Sequence, residues 1–183
     1  MTALFGIRAQ DGKAAAPGLL ALALAEAFGL GEIPRLERLP GGKPFFPDRP
    51  EIHFNLSHSG PLALCAVGDA PVGADVEVIR PRWEGLPRRV LSEGEYRWFA
   101  GRGSRWADFY ALWTLKEARL KYEGTGLNRV PRTVAVPLLD PGEEGTLEGL
   151  SFRSYGGADW RGGLCTGGGG RLPRRLSGNL NDS

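Results

Sequence analysis

VGADVEVI, residues 72–79, has the apolar spacing of a β-strand yet carries two carboxylates. Successive strand side chains alternate faces, so Ala74, Val76 and Val78 can enter a core while Asp75 and Glu77 stand together on the opposite face. Two like charges so placed repel one another. Solvation relieves them, as does a basic side chain between them or a cation gripped by both. The strand alone does not choose among the three.

Working outward, two more strand candidates precede it, EIHFNLSH at 51–58 and LALCAVG at 62–68, separated by turn residues. The first ends on a polar group, Asn55, Ser57, His58 and Ser59. Turn chemistry accounts for such residues as well as a binding site does. Upstream lie a Pro- and Gly-rich loop, LPGGKPFFPDRP, and a helix predicted from Pro17 to Gly29. Downstream, residues 80–104 read as a connector with short helices, where Ser92 and Glu95 have capping-box spacing. The strongest helix, RWADFYALWTLKEARLKYE, spans 105–123 and is closed by Gly124. TVAVPL, LEGLSFRSY and WRGGLCTG are further strand candidates, and the Gly-rich basic tail is expected to be disordered. Helix then strands, twice over, predicts two similar α+β halves.

On the second long helix Glu117 and Lys121 lie four apart on one face with Trp113 a turn earlier, while Leu112, Leu115 and Ala118 look to the core. Taken alone this is ordinary i, i+4 surface chemistry, worth a few tenths of a kcal/mol.

The 183 residues are 42% hydrophobic and 24% charged, the balance of a globular chain. GLLALALAEAFGL is too short to span a bilayer and lacks a signal-peptide layout, so a cytoplasmic protein without a membrane partner is expected. A net charge of +2 fits an acidic or phosphorylated partner and gives no support to nucleic acid. Cys65 and Cys165 lie in small or apolar surroundings and read as buried free thiols. His53 and His58 are five apart in an extended segment and should not face the same way, so a metal here calls for oxygen ligands and a hard cation such as Mg²⁺.

GKPFFP, FNLSHSG, VGADVEVI and FYALWTLKEARLKYEGTGL, in this order, make residues 18–136 closely resemble the Sfp-type 4′-phosphopantetheinyl transferases, which activate carrier proteins of fatty-acid, polyketide and nonribosomal peptide synthesis. The resemblance implies an α+β fold. It would be a pseudo-twofold pair of α/β subdomains, each a helix packed on a small, mainly antiparallel sheet, with the active site between them. The expected division is 1–80 for the N-terminal half with the metal strand, 81–104 for the connector, 105–168 for the C-terminal half and 169–183 for the tail. The resemblance implies coenzyme A as substrate, an apo acyl or peptidyl carrier protein as partner, Mg²⁺ as cofactor and 3′,5′-ADP as product. Asp75, Glu77 and Glu117 would hold the metal. Lys121 would contact the pyrophosphate, Ser57 and His58 the phosphates, and Lys43 the adenine or 3′-phosphate end; Lys116 belongs to the same motif and joins the coenzyme A contacts. Glu117, Lys121 and Asp75 form the expected catalytic set, with Glu117 as base, while Glu95 matches a family acid near the metal and Trp113 reads as packing. With both halves in one chain, a monomer is expected. The rival readings are a non-catalytic carrier-protein or nucleotide-binding module and a Mg²⁺-dependent nucleotide phosphohydrolase.

Overall fold

The computed structural model of the chain describes residues 1–124, 129–169 and 172–180. In chain order its elements are β1 (Thr2–Arg8), α1 (Gly12–Phe28), β2 (Glu37–Arg38), β3 (Pro44–Phe45), β4 (His53–Ser59), β5 (Leu62–Gly68) and β6 (Val72–Val78). There follow α2 (Leu86–Val90), α3 (Glu93–Gly101), α4 (Trp106–Glu123), β7 (Glu144–Leu147), β8 (Leu150–Gly156) and β9 (Trp160–Gly167). The first sheet has the order β1-β5-β4 and the second β6-β9-β8-β7, and the pairings that link them are antiparallel. The fold is therefore a mixture of helices and antiparallel sheets.

Alternation along the strands builds three apolar layers. Ala63, Cys65 and Val67 of β5 pack with Leu19, Leu20 and Leu24 of α1. Their neighbours Leu62, Leu64 and Ala66 face Val72, Ala74, Val76 and Leu164 between the sheets. On the far side Leu112, Leu115 and Ala118 of α4 cover Phe152 and Cys165. The order of layers is thus α1, first sheet, second sheet, α4. Two glycines set how closely α4 lies on its sheet: a Cβ at Gly73 would overlap the Ala118 carbonyl and the Tyr122 amide, and one at Gly163 would sit 2.6 Å from the Thr114 carbonyl oxygen.

Several expectations change. The first helix starts at Gly12, ahead of Pro17, because Asp11 caps it by accepting from the Lys13 and Ala14 amides at 2.8 and 3.3 Å. LEGLSFRSY is not one strand. Glu148 and Gly149, with φ of 51° and 76°, turn it into the β7–β8 hairpin, since positive φ at both central residues matches the twist of the strands. TVAVPL forms no strand; a 3₁₀ turn at Pro131–Thr133 takes in its first residue, and the carbonyls of Val134 and Ala135 go to the Lys116 and Arg119 side chains. β1, a strand beyond those expected, completes the first sheet by pairing with β5.

β6 pairs along its length with β9, so the strand bearing Asp75 and Glu77 belongs to the sheet under α4. Residues 172–180 of the tail are held in place. Ser177 bridges Phe5, its amide donates to the Leu4 carbonyl at 2.9 Å and its carbonyl accepts from the Gly6 amide at 2.9 Å. Leu172 and Leu180 are buried in the layer between the sheets, an apolar gain that offsets the entropy of ordering the segment. The remaining tail positions, and residues 125–127 of the GTGL motif end, lie outside the described residues.

Candidate active site

Three alternate amides of β6, at one edge of its sheet, find side-chain acceptors on β4. Ala74 N donates to Asn55 Oδ1 at 2.8 Å, Val76 N to Ser57 Oγ at 3.3 Å and Val78 N to Ser59 Oγ at 3.2 Å. Buried amides need such partners, and here side chains supply what a neighbouring backbone would. Each serine hydroxyl in turn donates a hydrogen bond to a carboxylate: Ser57 Oγ to Asp75 Oδ1 at 2.7 Å and Ser59 Oγ to Glu77 Oε2 at 2.6 Å. The polar group at the end of β4 thus joins the two sheets and holds both strand carboxylates.

α4 brings the third acid and the lysine. Lys121 Nζ donates to Asp75 Oδ1 at 2.7 Å and to Ser57 Oγ at 3.0 Å. Its partner is therefore the strand acid rather than Glu117. Burial raises the Glu117 carboxyl above its ordinary value and the nearby Asp75 charge adds to the rise, with Lys121 opposing. Burial likewise raises Glu77, against the Ser59 hydrogen bond, and Asp75 contributes again. Asp75, Glu77 and Glu117 are thus within electrostatic reach of one another, on adjacent elements of one helix–sheet unit. Arg82 stands beside this group, its Nε donating to the Tyr110 hydroxyl at 3.2 Å, and its charge favours ionisation of Glu77.

The other expected site residues distribute unevenly. Ser57 uses its one O–H to donate to Asp75 and accepts from Val76 N and Lys121 Nζ, so its hydroxyl has no donor left for a phosphate; it positions Asp75. His58 points to the face opposite Ser57 and is exposed. Lys43 donates to the carbonyls of Val72 and Tyr122 at 3.2 and 3.1 Å, tying the Gly-rich loop to β6 and the end of α4, and burial lowers its proton affinity.

Lys116 is displaced from the expected site. It is fully buried, paired with Glu95 at 2.8 Å and donating to the carbonyls of Pro131 and Val134 at 3.1 and 2.6 Å. It faces away from Lys121 because an i, i+5 spacing turns the helix by more than a quadrant. Glu95 also receives the Ser92 amide at 2.7 Å in a capping box, so its role is structural. Trp113 stacks on Phe109 at 6.1 Å, as packing requires.

Next to the carboxylates the surface is hollowed. A cavity of about 210 Å³ is lined by Gly42, Lys43, Asn55, Lys121 and Gly124. A second, of about 310 Å³, shares Lys43, Pro44 and Gly124 with it and is bounded by Phe46, Phe54, Pro71 and Tyr122. The first is polar where it meets Lys121; the second has the apolar walls that receive a flat ring.

Among the described residues no three His, Cys, Asp or Glu side chains gather as a ready-made metal cage. Two buried carboxylate oxygens, Asp75 Oδ2 and Glu117 Oε1, nonetheless have no hydrogen-bond partner. Orphaned, hard oxygen donors on neighbouring elements suit Mg²⁺, which binds few protein carboxylates and keeps water or substrate oxygens for the rest. The residues present fit that ion.

Residues 71–161, the span from the carboxylate strand through α4 to the second sheet, match the family model of the 4′-phosphopantetheinyl transferase superfamily. It is 39% identical over 103 residues to a 4′-phosphopantetheinyl transferase of Bacillus subtilis, covering 55% of this chain and 46% of that protein. It is 36% identical over 104 residues to the 4′-phosphopantetheinyl transferase Sfp of Bacillus subtilis strain 168, and 42% identical over 100 residues to the 4′-phosphopantetheinyl transferase AcpT of Salmonella typhi. The match covers 46% of the Sfp protein and 52% of AcpT, so the chain spans about half the length of the curated relatives it matches.

Proposed function

We propose that this chain is a 4′-phosphopantetheinyl transferase, moving phosphopantetheine from coenzyme A to a serine of an apo acyl or peptidyl carrier protein and releasing 3′,5′-ADP. The observation that carries the reading is the pair of orphaned carboxylate oxygens, Asp75 Oδ2 and Glu117 Oε1, beside a lysine with a donor to spare. Two of the three Lys121 protons are engaged, and the third is available to a pyrophosphate oxygen. Mg²⁺, held by Asp75 and Glu117 with Glu77 as the further ligand, would neutralise charge on the pyrophosphate as the anhydride breaks.

The serine oxygen forms a bond to the β-phosphorus while the bond to the bridging oxygen breaks, and the proton of the serine leaves to a base. Glu117 is our candidate for that base, a role that requires it to lie within hydrogen-bond reach of the serine hydroxyl. Lys121 stabilises the charge that accumulates on the leaving phosphate. Asp75 keeps Lys121 oriented through Oδ1 and leaves Oδ2 for the ion. The cavity at Lys43 and Lys121 leads from this centre to the apolar cavity beyond, a path suited to the pyrophosphate and then the adenine. Arg80, Arg82, Arg88 and Arg89 present positive charge for an acidic carrier protein next to the carboxylate strand.

The order β1, α1, β4, β5 in the first unit and β6, α4, β8, β9 in the second supports reading the halves as copies related by a pseudo-twofold axis. Among the described residues no helix is long and apolar enough to cross a membrane. We place the protein in the cytoplasm, as a monomer.

The deciding experiment is intact-mass spectrometry of an apo carrier protein incubated with this protein, coenzyme A and Mg²⁺, beside a chelated sample. A metal-dependent gain of one phosphopantetheine is expected. Absence of any gain across several carrier proteins, together with no release of 3′,5′-ADP, would overturn the assignment.

A further inference from the structure

The two strand carboxylates are held by the same device, repeated at a spacing of two residues. A β4 serine accepts the amide of the residue following the acid and donates its single proton to one carboxylate oxygen: Ser57 acts between Val76 N and Asp75, and Ser59 between Val78 N and Glu77. Both serines are buried, which leaves little water to compete for those bonds. The geometry points to Ser59 as a positioning residue that fixes the Glu77 carboxylate, presenting its other oxygen to the cation and substrate bound beside Asp75 and Glu117.

The hydroxyl is saturated in the direction that matters. Its proton is committed to Glu77 Oε2 and one lone pair to the Val78 amide, so its orientation is set from both sides. Without the hydroxyl, Glu77 would keep its position in the chain but lose the bond that selects its rotamer, and the Val78 amide would lose its acceptor. Partners behind a metal ligand commonly affect metal affinity by about 10–100-fold when removed. Asn55 differs from the two serines in that its side-chain oxygen accepts from Ala74 N without a carboxylate behind it. It serves as an internal comparison for the strand-joining function alone.

The inference rests on the proposed metal-dependent transferase, and its test uses the full chain with Mn²⁺ as a spectroscopic probe. Free Mn²⁺ is followed by electron paramagnetic resonance during titration of wild type, Ser59→Ala, Glu77→Gln, the double variant and Asn55→Ala, with thermal melts of each. Ser59→Ala removes one atom and should fold. We expect it to weaken Mn²⁺ binding by roughly 10-fold in the wild-type background and to have little effect once Glu77 is Gln, because the hydroxyl acts through that carboxylate. Asn55→Ala should lower the melting temperature without that coupling to Glu77. Equal Mn²⁺ affinity in wild type and Ser59→Ala, or an equal loss in both backgrounds, would overturn the role of Ser59 and leave the metal site standing. Failure of the wild-type protein to bind Mn²⁺ would overturn the metal site itself, and this inference with it.

Discussion

Glu117 and Lys116 are neighbours in the chain with opposite fates. Glu117 is half-buried with an orphaned oxygen and a raised proton affinity, so the folded protein holds its proton more tightly than the unfolded chain, whose carboxyl titrates near 4.5. Between 4.5 and the folded value the native state binds the extra proton, and stability falls as pH rises through that window. Glu117→Gln should therefore melt higher than wild type in metal-free buffer at pH 7–8, by roughly 2 °C, and lose that advantage below pH 4.5, while losing transfer. A lower melting temperature at neutral pH would show that Glu117 is not desolvated in this way. Lys116 is buried among Glu95 and two carbonyls, so removing it strands a buried carboxylate. Lys116→Ala should cost about 3–5 kcal/mol in urea unfolding; a loss confined to coenzyme A affinity, with stability unchanged, would restore it to the substrate contacts that the motif suggested. At this scale the sequence was half legible. KEARLK marked Glu117 and Lys121, but whether Lys116 pointed inward depended on what lay across the helix, and Ser59 was visible only as one member of a polar group.

At the scale of the element, the site exists because α4 lies against β6 with little between them. Gly73 and Gly163 permit that approach, and the stretch GADVE owes its first residue to it. Gly73→Ala would drive a methyl group into the Ala118 carbonyl and the Tyr122 amide, neither of which is a flexible side chain. We expect about 1–3 kcal/mol of destabilisation together with a fall in transfer activity, since α4 carries Glu117 and Lys121. Denaturant unfolding and the carrier-protein assay check both; normal activity would mean that the helix can shift without disturbing the site. The long helix runs over Trp106–Glu123, within a residue of the expected 105–123, because its period and its Gly124 stop are both local signals. TVAVPL failed because strand character needs a partner edge, and the buried arms of Lys116 and Arg119 took its carbonyls first.

Over the whole molecule, the tail acts as a strap across the open side of the inter-sheet layer. Besides the Ser177 bridge, the Tyr155 hydroxyl donates to the Pro173 carbonyl at 2.6 Å, and Leu180 packs against Gly6, where a side chain would collide with it. Removing residues 170–183 uncovers Leu172 and Leu180, each worth about 1.5–3 kcal/mol at full burial. The truncated protein should melt several degrees lower, in line with roughly 2–4 °C per kcal/mol for a chain of this size. An unchanged melting curve would make the strap an ornament of the fold. Because the strap lies on β1 and the inter-sheet layer, its loss should reach the active site only through stability.

Periodicity and punctuation determined the α+β class, most of the strands and the long helix, because those signals are written in residue order and spacing, while the four motifs marked Asp75, Glu77, Glu117 and Lys121 as candidates through the family they resemble. Tertiary structure decided which acid Lys121 would meet, that Ser57 and Ser59 would hold the strand carboxylates, that Lys116 would be buried, and that β6 would join the second sheet. Each of those outcomes depends on hydrogen-bond partners more than a dozen residues away, and a buried donor or acceptor takes the partner that the packing delivers.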